Sequence, residues 1–223
     1  GRVTQIHVEY FQEMALLPAD AAWSGTPWRQ DPAKVGGAAT TADIGTHAHH
    51  LAEFVSDLRM TDLRADFHRL GADQPLEDTA FMACRFEGGV PGTLLISQAA
   101  AGASCGLRIR ISGTDGTLEW DQENPEYLQH RPFSAPHIRI SRGHGAGMLS
   151  DAARFVHMPR GHPEALSDAW GNLYEEFAIA IEARREGRDL PDGLLAYPGL
   201  EEGAAGVAFI QAAIRSNAEG GAW

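Results

Sequence analysis

Asp43 and His47 stand four residues apart in the run Gly36-Gly37-Ala38-Ala39-Thr40-Thr41-Ala42-Asp43-Ile44-Gly45-Thr46-His47-Ala48-His49-His50, and His50 follows three residues later. In a helix, positions i, i+4 and i+7 share one face, with neighbours about 5–6 Å apart. A carboxylate beside an imidazole orients the ring, fixes its tautomer and favours its protonated form. That is the equipment of a general acid/base. The same spacing also arises when an Asp merely caps a helix and a His is a satisfied, half-buried side chain, and spacing alone does not choose between the two. The glycines at 36, 37 and 45 each cost helix stability, which points to tight packing or to a backbone approached by a ligand.

Two other places carry side chains suited to a polar ligand. In Trp23-Ser24-Gly25-Thr26-Pro27-Trp28-Arg29-Gln30-Asp31-Pro32, Trp28 offers an aromatic face to sugar C–H surfaces and Arg29 a fork for oxygens. A loop pinned down by buried tryptophans fits the same residues. In Arg160-Gly161-His162-Pro163-Glu164, His162 precedes a proline of the kind found in a helix's first turn. It serves there as an N-cap or lies where a ligand oxygen is welcome. A metal is not expected. Thr46-His47-Ala48-His49-His50 is superficially similar to the T-H-x-H-x-D-H run of metallo-β-lactamase-type hydrolases, but Ala52 and Glu53 stand where that motif should continue. On a helix His47 and His49 also point about 160° apart.

The elements that must position these groups follow from periodicity. Residues 2–12 alternate β-branched and aromatic side chains and read as a strand. A Pro-, Trp- and Gly-rich loop leads to a helix over 40–56. On its wheel, at about 100° per residue, Asp43, His47, His50 and Phe54 fall within roughly 60° of one another. Ile44, Ala48, Leu51 and Val55 form a separate apolar stripe that should face a sheet. Strands are expected over 60–70, 79–87, 93–100, 107–112, 117–121, 127–130 and 137–140, joined by short turns that favour antiparallel pairing. A connection over 141–158 precedes two helices, over 163–186 and 198–218. Strands grouped first and helices at the ends give an α+β fold, a single domain over 1–223: an open, mainly antiparallel sheet with helices covering one face.

Composition excludes whole classes of function. The chain of 223 residues has a formal charge of −12 and a single lysine, Lys34, without basic runs, so nucleic acid and anionic membrane are not expected partners. No stretch approaches the ~20 apolar residues of a membrane span. Cys84 and Cys105 are too few for a disulfide framework and read as buried, reduced thiols, hence a cytoplasmic setting. There is no G-x-G-x-x-G after a strand (Gly143-His144-Gly145-Ala146-Gly147 has the wrong spacing), no Walker G-K-[ST] and no G-x-S-x-G elbow. The chain opens Gly1-Arg2-Val3 directly into a strand, which reads as a domain cut from a longer protein.

Together these pieces resemble the C-terminal domain of the Gfo/Idh/MocA oxidoreductases from end to end. The matches are Gly1-Arg2-Val3-Thr4-Gln5-Ile6, Trp28-Arg29 leading to Gly36-Gly37, and Asp43-Ile44-Gly45-Thr46-His47 as the D-x-x-x-H helix. Gly113-Thr114-Asp115-Gly116-Thr117-Leu118-Glu119, Gly161-His162-Pro163-Glu164, Tyr197-Pro198 and Gly220-Gly221-Ala222-Trp223 follow in order. The resemblance implies an intact enzyme whose N-terminal Rossmann domain binds NAD or NADP, without metal. It would transfer hydride at a sugar, polyol or related alcohol carbon, this chain alone being inactive. It further implies His47 and Asp43 as catalytic residues, working with a lysine of the E-K-P motif in the other domain. Trp28, Arg29, His50 and His162 would bind substrate; His50 replaces the acid common there in the family. A homodimer or homotetramer through the open face of the sheet is also implied. The competing reading is a non-catalytic sugar-binding module.

Overall fold

The computed structural model describes residues 1–18, 28, 31–71, 75–143, 148–191 and 193–223. Its centre is the strand that opens the chain, β1 (Val3–Phe11). The others are β2 (Met60–His68), β3 (Thr79–Phe86), β4 (Val90–Ser97), β5 (Gly106–Gly113), β6 (Gly116–Asp121), β7 (Tyr127–Pro132) and β8 (Ile138–Ser141). They form one sheet in the order β2-β3-β4-β1-β5-β6-β7-β8. Every neighbouring pair is antiparallel except β1 and β4, which run parallel. Consecutive strands pair antiparallel within β2–β4 and within β5–β8, as the short turns predict, while β1 lies between β4 and β5. The long excursion between β1 and β4 is what permits their parallel contact. The expected α+β architecture is thus present.

Alternation along β1 divides the two faces of the sheet. Ile6, Val8 and Tyr10 point into the core, and His7 and Glu9 point to the other side. The core face of β2–β5 supplies Leu63, Ala65, Met82, Phe86, Leu94, Ile96 and Ile109. Two helices cover it, α2 (Thr46–Ser56) and α5 (Leu200–Ala218), through Ala48, Ala52, Phe209 and Ala213, with Ile44 just ahead of α2. The opposite face is laced by cross-strand charges: Arg108 bridges Glu9 and Asp121 at 3.2 and 3.0 Å, and Arg131 meets Glu119 at 2.6 Å. The edge strand β2 is closed by the end of α5, where Ser216 Oγ accepts from Ala65 N and Asn217 Oδ1 from Phe67 N. An edge so covered does not recruit another strand.

Several elements depart from expectation. The helix over 40–56 is not uniform: Thr41–Gly45 form a π-helical turn, and α2 begins only at Thr46. Its buried face is Ala48, His49, Ala52 and Glu53, while Val55 and Phe54 are exposed. The predicted Leu51/Val55 stripe is therefore rotated. A short helix, α1 (Pro32–Val35), precedes Gly36, whose φ of +82° ends it, so the glycine pair closes one helix rather than opening the next. Another short helix, α3 (Ser150–Ala153), lies inside the expected connection. The next helix, α4, spans Leu166–Glu186, three residues later than predicted. Glu164 is buried and engaged instead with Arg142 Nη1 and His157 N, and Asp168 Oδ2 accepts from Ala165 N to cap the start.

His49 is the polar surprise of the core. Its ring stacks on Phe209 at 4.7 Å and its Nε2 lies 3.5 Å from Glu53 Oε1. Glu53 in turn accepts from Arg59 Nη1 at 3.0 Å and Met60 N at 2.7 Å. Burial pushes the His49 imidazole below 6.5, against the pull of Glu53. The unfolded chain therefore takes up a proton that the folded chain refuses. Stability from this burial is intact above about pH 6.5 and drains as pH falls from there toward the lower folded value. The urea midpoint should drop between about pH 7 and pH 5, and His49→Gln should flatten that slope. An unchanged slope would remove His49 as the cause.

Candidate functional site

Gly45 is what lets the Thr41–Gly45 turn lie against the sheet: a Cβ there would sit 3.0 Å from Ile96 Cδ1 and 3.4 Å from the Phe209 ring. The start of the turn is held by Glu77, whose carboxylate accepts from Ala39 N and Thr41 N, both at 2.8 Å. Burial pushes the Glu77 carboxyl up, opposed by those donors. Single π turns are a common way to re-aim one side chain within a helix, frequently at functional sites. Here the re-aimed residue is Asp43.

Asp43 Oδ2 accepts from Gln98 Nε2 at 2.9 Å. Gln98 follows β4 and Gln12 follows β1. Because those strands run parallel, with Phe11 opposite Ser97, both glutamines emerge at the same edge. Gln98 Nε2 also donates to Gln12 Oε1 at 3.2 Å, and Gln98 Oε1 accepts from the buried Thr40 hydroxyl at 2.8 Å. His47 stands exposed in the first turn of α2. Its ring meets the Tyr10 ring edge-on, centroids 6.2 Å apart. The Tyr10 hydroxyl lies 3.1 Å from Cys105 Sγ, to which Gln122 Nε2 donates at 3.0 Å. Burial, the Cys105 contact and the Asp43 charge all push the Tyr10 phenol up, so it stays neutral and serves as a wall and hydrogen-bonding group, not a base.

The structure thus brings Asp43 and His47 to one edge together with three residues that sequence reasoning missed, Tyr10, Gln12 and Gln98. The signal that could have found them is the pair of glutamines immediately after two strands, which means nothing until those strands are known to be parallel neighbours. His50 sits one turn further along α2, stacked on the exposed Phe54 at 5.9 Å. Trp28 is about half exposed, at 49%. Arg29, most of its loop and the 144–147 stretch lie outside the described residues. His162 lies on the exposed turn ahead of α4, its N–H donating to Pro159 O, and is not at the helix N-terminus predicted for it. Among the described residues no group of three or more His, Cys, Asp or Glu is arranged to hold a metal. Among the described residues no helix is long and apolar enough to cross a membrane.

An open, mostly antiparallel eight-stranded sheet with helices on one face is an architecture that known proteins share. Residues 1–119 match the sequence profile of the GFO/IDH/MocA C-terminal domain, and the chain belongs to that family. It is 32% identical over 200 residues to the uncharacterized oxidoreductase YfiI of Bacillus subtilis, covering 88% of this chain and 50% of that protein. An inositol dehydrogenase homolog from Azotobacter vinelandii complexed with NAD+ superposes with a TM-score of 0.91 at 31% identity, over 100% of this chain and 58% of that one. An oxidoreductase from Sinorhizobium meliloti gives 0.82 at 36% identity, over 100% and 57%. The chain spans about half the length of the curated relative it matches.

Proposed function

We propose that this chain is the substrate-binding and dimerisation domain of an NAD(P)-dependent dehydrogenase acting on a sugar, polyol or related alcohol. The observation that carries the reading is Asp43 and His47 on a π-to-α helix junction, set at the carboxyl ends of parallel strands β1 and β4 beside two side-chain amides. His47 takes the proton of the substrate hydroxyl as hydride leaves the same carbon. Asp43, one turn earlier, stabilises the charged ring, and His50, Trp28, Arg29 and His162 meet the remaining hydroxyls. The residues present fit the proton half of the reaction and not a dinucleotide's phosphates, since the sequence holds no glycine-rich phosphate loop. Bound NAD or NADP supplies the hydride acceptor. A likeness at 31% identity to the Azotobacter vinelandii inositol dehydrogenase homolog complexed with NADH and myo-inositol supports a polyol.

α4 supports a second domain in the same polypeptide. It buries Glu176 and Ala183 and exposes Trp170, Tyr174, Phe177 and Ile181 on successive turns. A stripe that hides its carboxylate and shows its aromatics is an interface awaiting its other side. The half of the relatives' length that this chain does not span is the occupant we assign to it. The charged face of the sheet, with a groove of about 610 Å³ lined by His7, Glu9, Thr93, Arg108, Arg110 and Tyr127, is assigned to a second copy, because it presents both signs of charge to its two-fold mate. Leu95→Arg at its centre should halve the mass measured by sedimentation; an unchanged mass would remove this face from the interface.

The test joins the chain to its nucleotide-binding half and follows nicotinamide reduction by absorbance across a panel of polyols and sugars. Reduction with at least one of them is expected. No reduction with any, together with millimolar sugar binding by the isolated chain in calorimetry, would replace the dehydrogenase with a binding module.

A further inference from the structure

We propose that Gln98 is a positioning residue that holds the Asp43 carboxylate in a fixed orientation for its work with His47. The inference rests on the reading of Asp43 and His47 given above, and it is carried by the way the hydrogen bonds of one amide are committed. Gln98 Oε1 accepts from Thr40 Oγ1 at 2.8 Å, and Thr40 is 1% exposed. The ionised Asp43 carboxylate only accepts, so the end of the amide that faces it is the nitrogen and the end at Thr40 is the oxygen. The Nε2 end then has two hydrogens, one given to Asp43 Oδ2 at 2.9 Å and one to Gln12 Oε1 at 3.2 Å. The backbone of Gln98 is tied as well, its N–H donating to Asp78 O at 2.7 Å.

An amide so oriented can only donate to Asp43. A donor at that oxygen favours the ionised carboxylate over the acid, and hydrogen bonds to a charged acceptor are about twice as strong as neutral ones. Rotation of Asp43 is restricted at the same time, so its other oxygen keeps one direction. Glu77 holds the backbone of the π turn, and Gln98 holds its side chain. Gln12 extends the same chain, its Nε2 reaching the Tyr10 hydroxyl at 3.4 Å; Tyr10 is the residue whose ring edges against His47. Both members of the acid–base pair therefore lean on one network that runs along the carboxyl ends of β1 and β4. Gln98 Nε2 brings a neutral donor to Asp43 Oδ2, and the Asp43 charge is felt in turn by the Tyr10 phenol.

Two measurements test this. In NMR spectra of the 223-residue chain, the Gln98 side-chain amide should show distinct, downfield, slowly exchanging protons that move upfield in Asp43→Asn. In the enzyme joined to its nucleotide-binding half, Gln98→Leu should lower kcat about tenfold with little change in the KM for dinucleotide. Gln98→Glu should lose as much near neutral pH and, measured against the unaltered enzyme at the same pH, recover as the medium is acidified, because protonation restores a donor at that position; a purely structural role would show no such rescue. Gln98 amide protons that ignore Asp43→Asn, or a Gln98→Glu profile without acid recovery, would overturn the proposal. Full turnover in Asp43→Asn, with the Gln98 protons still responding, would instead overturn the catalytic reading of Asp43.

Discussion

Replacing His47 with alanine in the enzyme joined to its nucleotide-binding half should cut turnover by ~10²–10⁴-fold, the loss expected when a positioned general base is removed. The three histidines of the helix are not equivalent, which makes the prediction specific. His49 is packed on Phe209 and held neutral by burial beside Glu53, so it reaches no substrate, and its loss should act on stability. His50 is stacked on Phe54, and as the proposed contact to a substrate hydroxyl its change to Ala should raise KM more than it lowers kcat. His47 alone is exposed in the first turn of α2 next to Tyr10 and one turn after Asp43. Dinucleotide affinity should stay nearly unchanged in His47→Ala, because nothing in this domain's sequence forms a phosphate cradle. Steady-state kinetics and a dinucleotide titration by fluorescence check both halves. Turnover equal to that of the unaltered enzyme would take His47 out of the mechanism.

How much of this was legible in the sequence varies with the range of the interaction. The spacing of Asp43 and His47 and the alternation that makes each strand are local, and both survive in the structure. The helix wheel was misleading because a constant 100° per residue does not hold through a π turn, whose wider winding resets the phase between Asp43 and α2. The apolar stripe of the wheel also left out His49 and Glu53, which the structure buries. A neutral ring stacked on Phe209 and a carboxylate satisfied by Arg59 and Met60 are buried without an unpaired polar group. Gln98 was invisible for a different reason. Its neighbour Gln12 is 86 residues away, and no local pattern announces that β1 and β4 are parallel. The late start of α4 depends on Glu164 finding Arg142, again a distant partner. The sequence places the 163–186 helix only among those covering the sheet, and only the structure shows that its aromatic face is open within this domain.

Phe86→Ala should be the most costly single truncation in the sheet, about 3–5 kcal/mol. Phe86 is fully buried at the end of β3, in the core cluster that includes Ile6, Met82 and Leu94. Typical domains hold only ~5–15 kcal/mol of stability, so the variant should lose a large share of it. At about 2–4 °C per kcal/mol for a chain of this size, Tm should fall by roughly 6–20 °C. The ring also explains why residue 92 is glycine. A Cβ at Gly92 would stand 2.7 Å from Phe86 Cε2 and 2.6 Å from the Ile6 carbonyl oxygen, on the strand that runs parallel to it. Gly92→Ala alone should therefore destabilise by about 1–3 kcal/mol through overpacking. Combining it with Phe86→Ala removes the ring contact and leaves the carbonyl contact. The double variant should be less destabilised than the sum of the two singles yet still worse than Phe86→Ala. Urea denaturation of the three variants measures that coupling directly. Strict additivity would mean that the parallel backbone of β1, and not the aromatic ring, is the whole reason for the glycine.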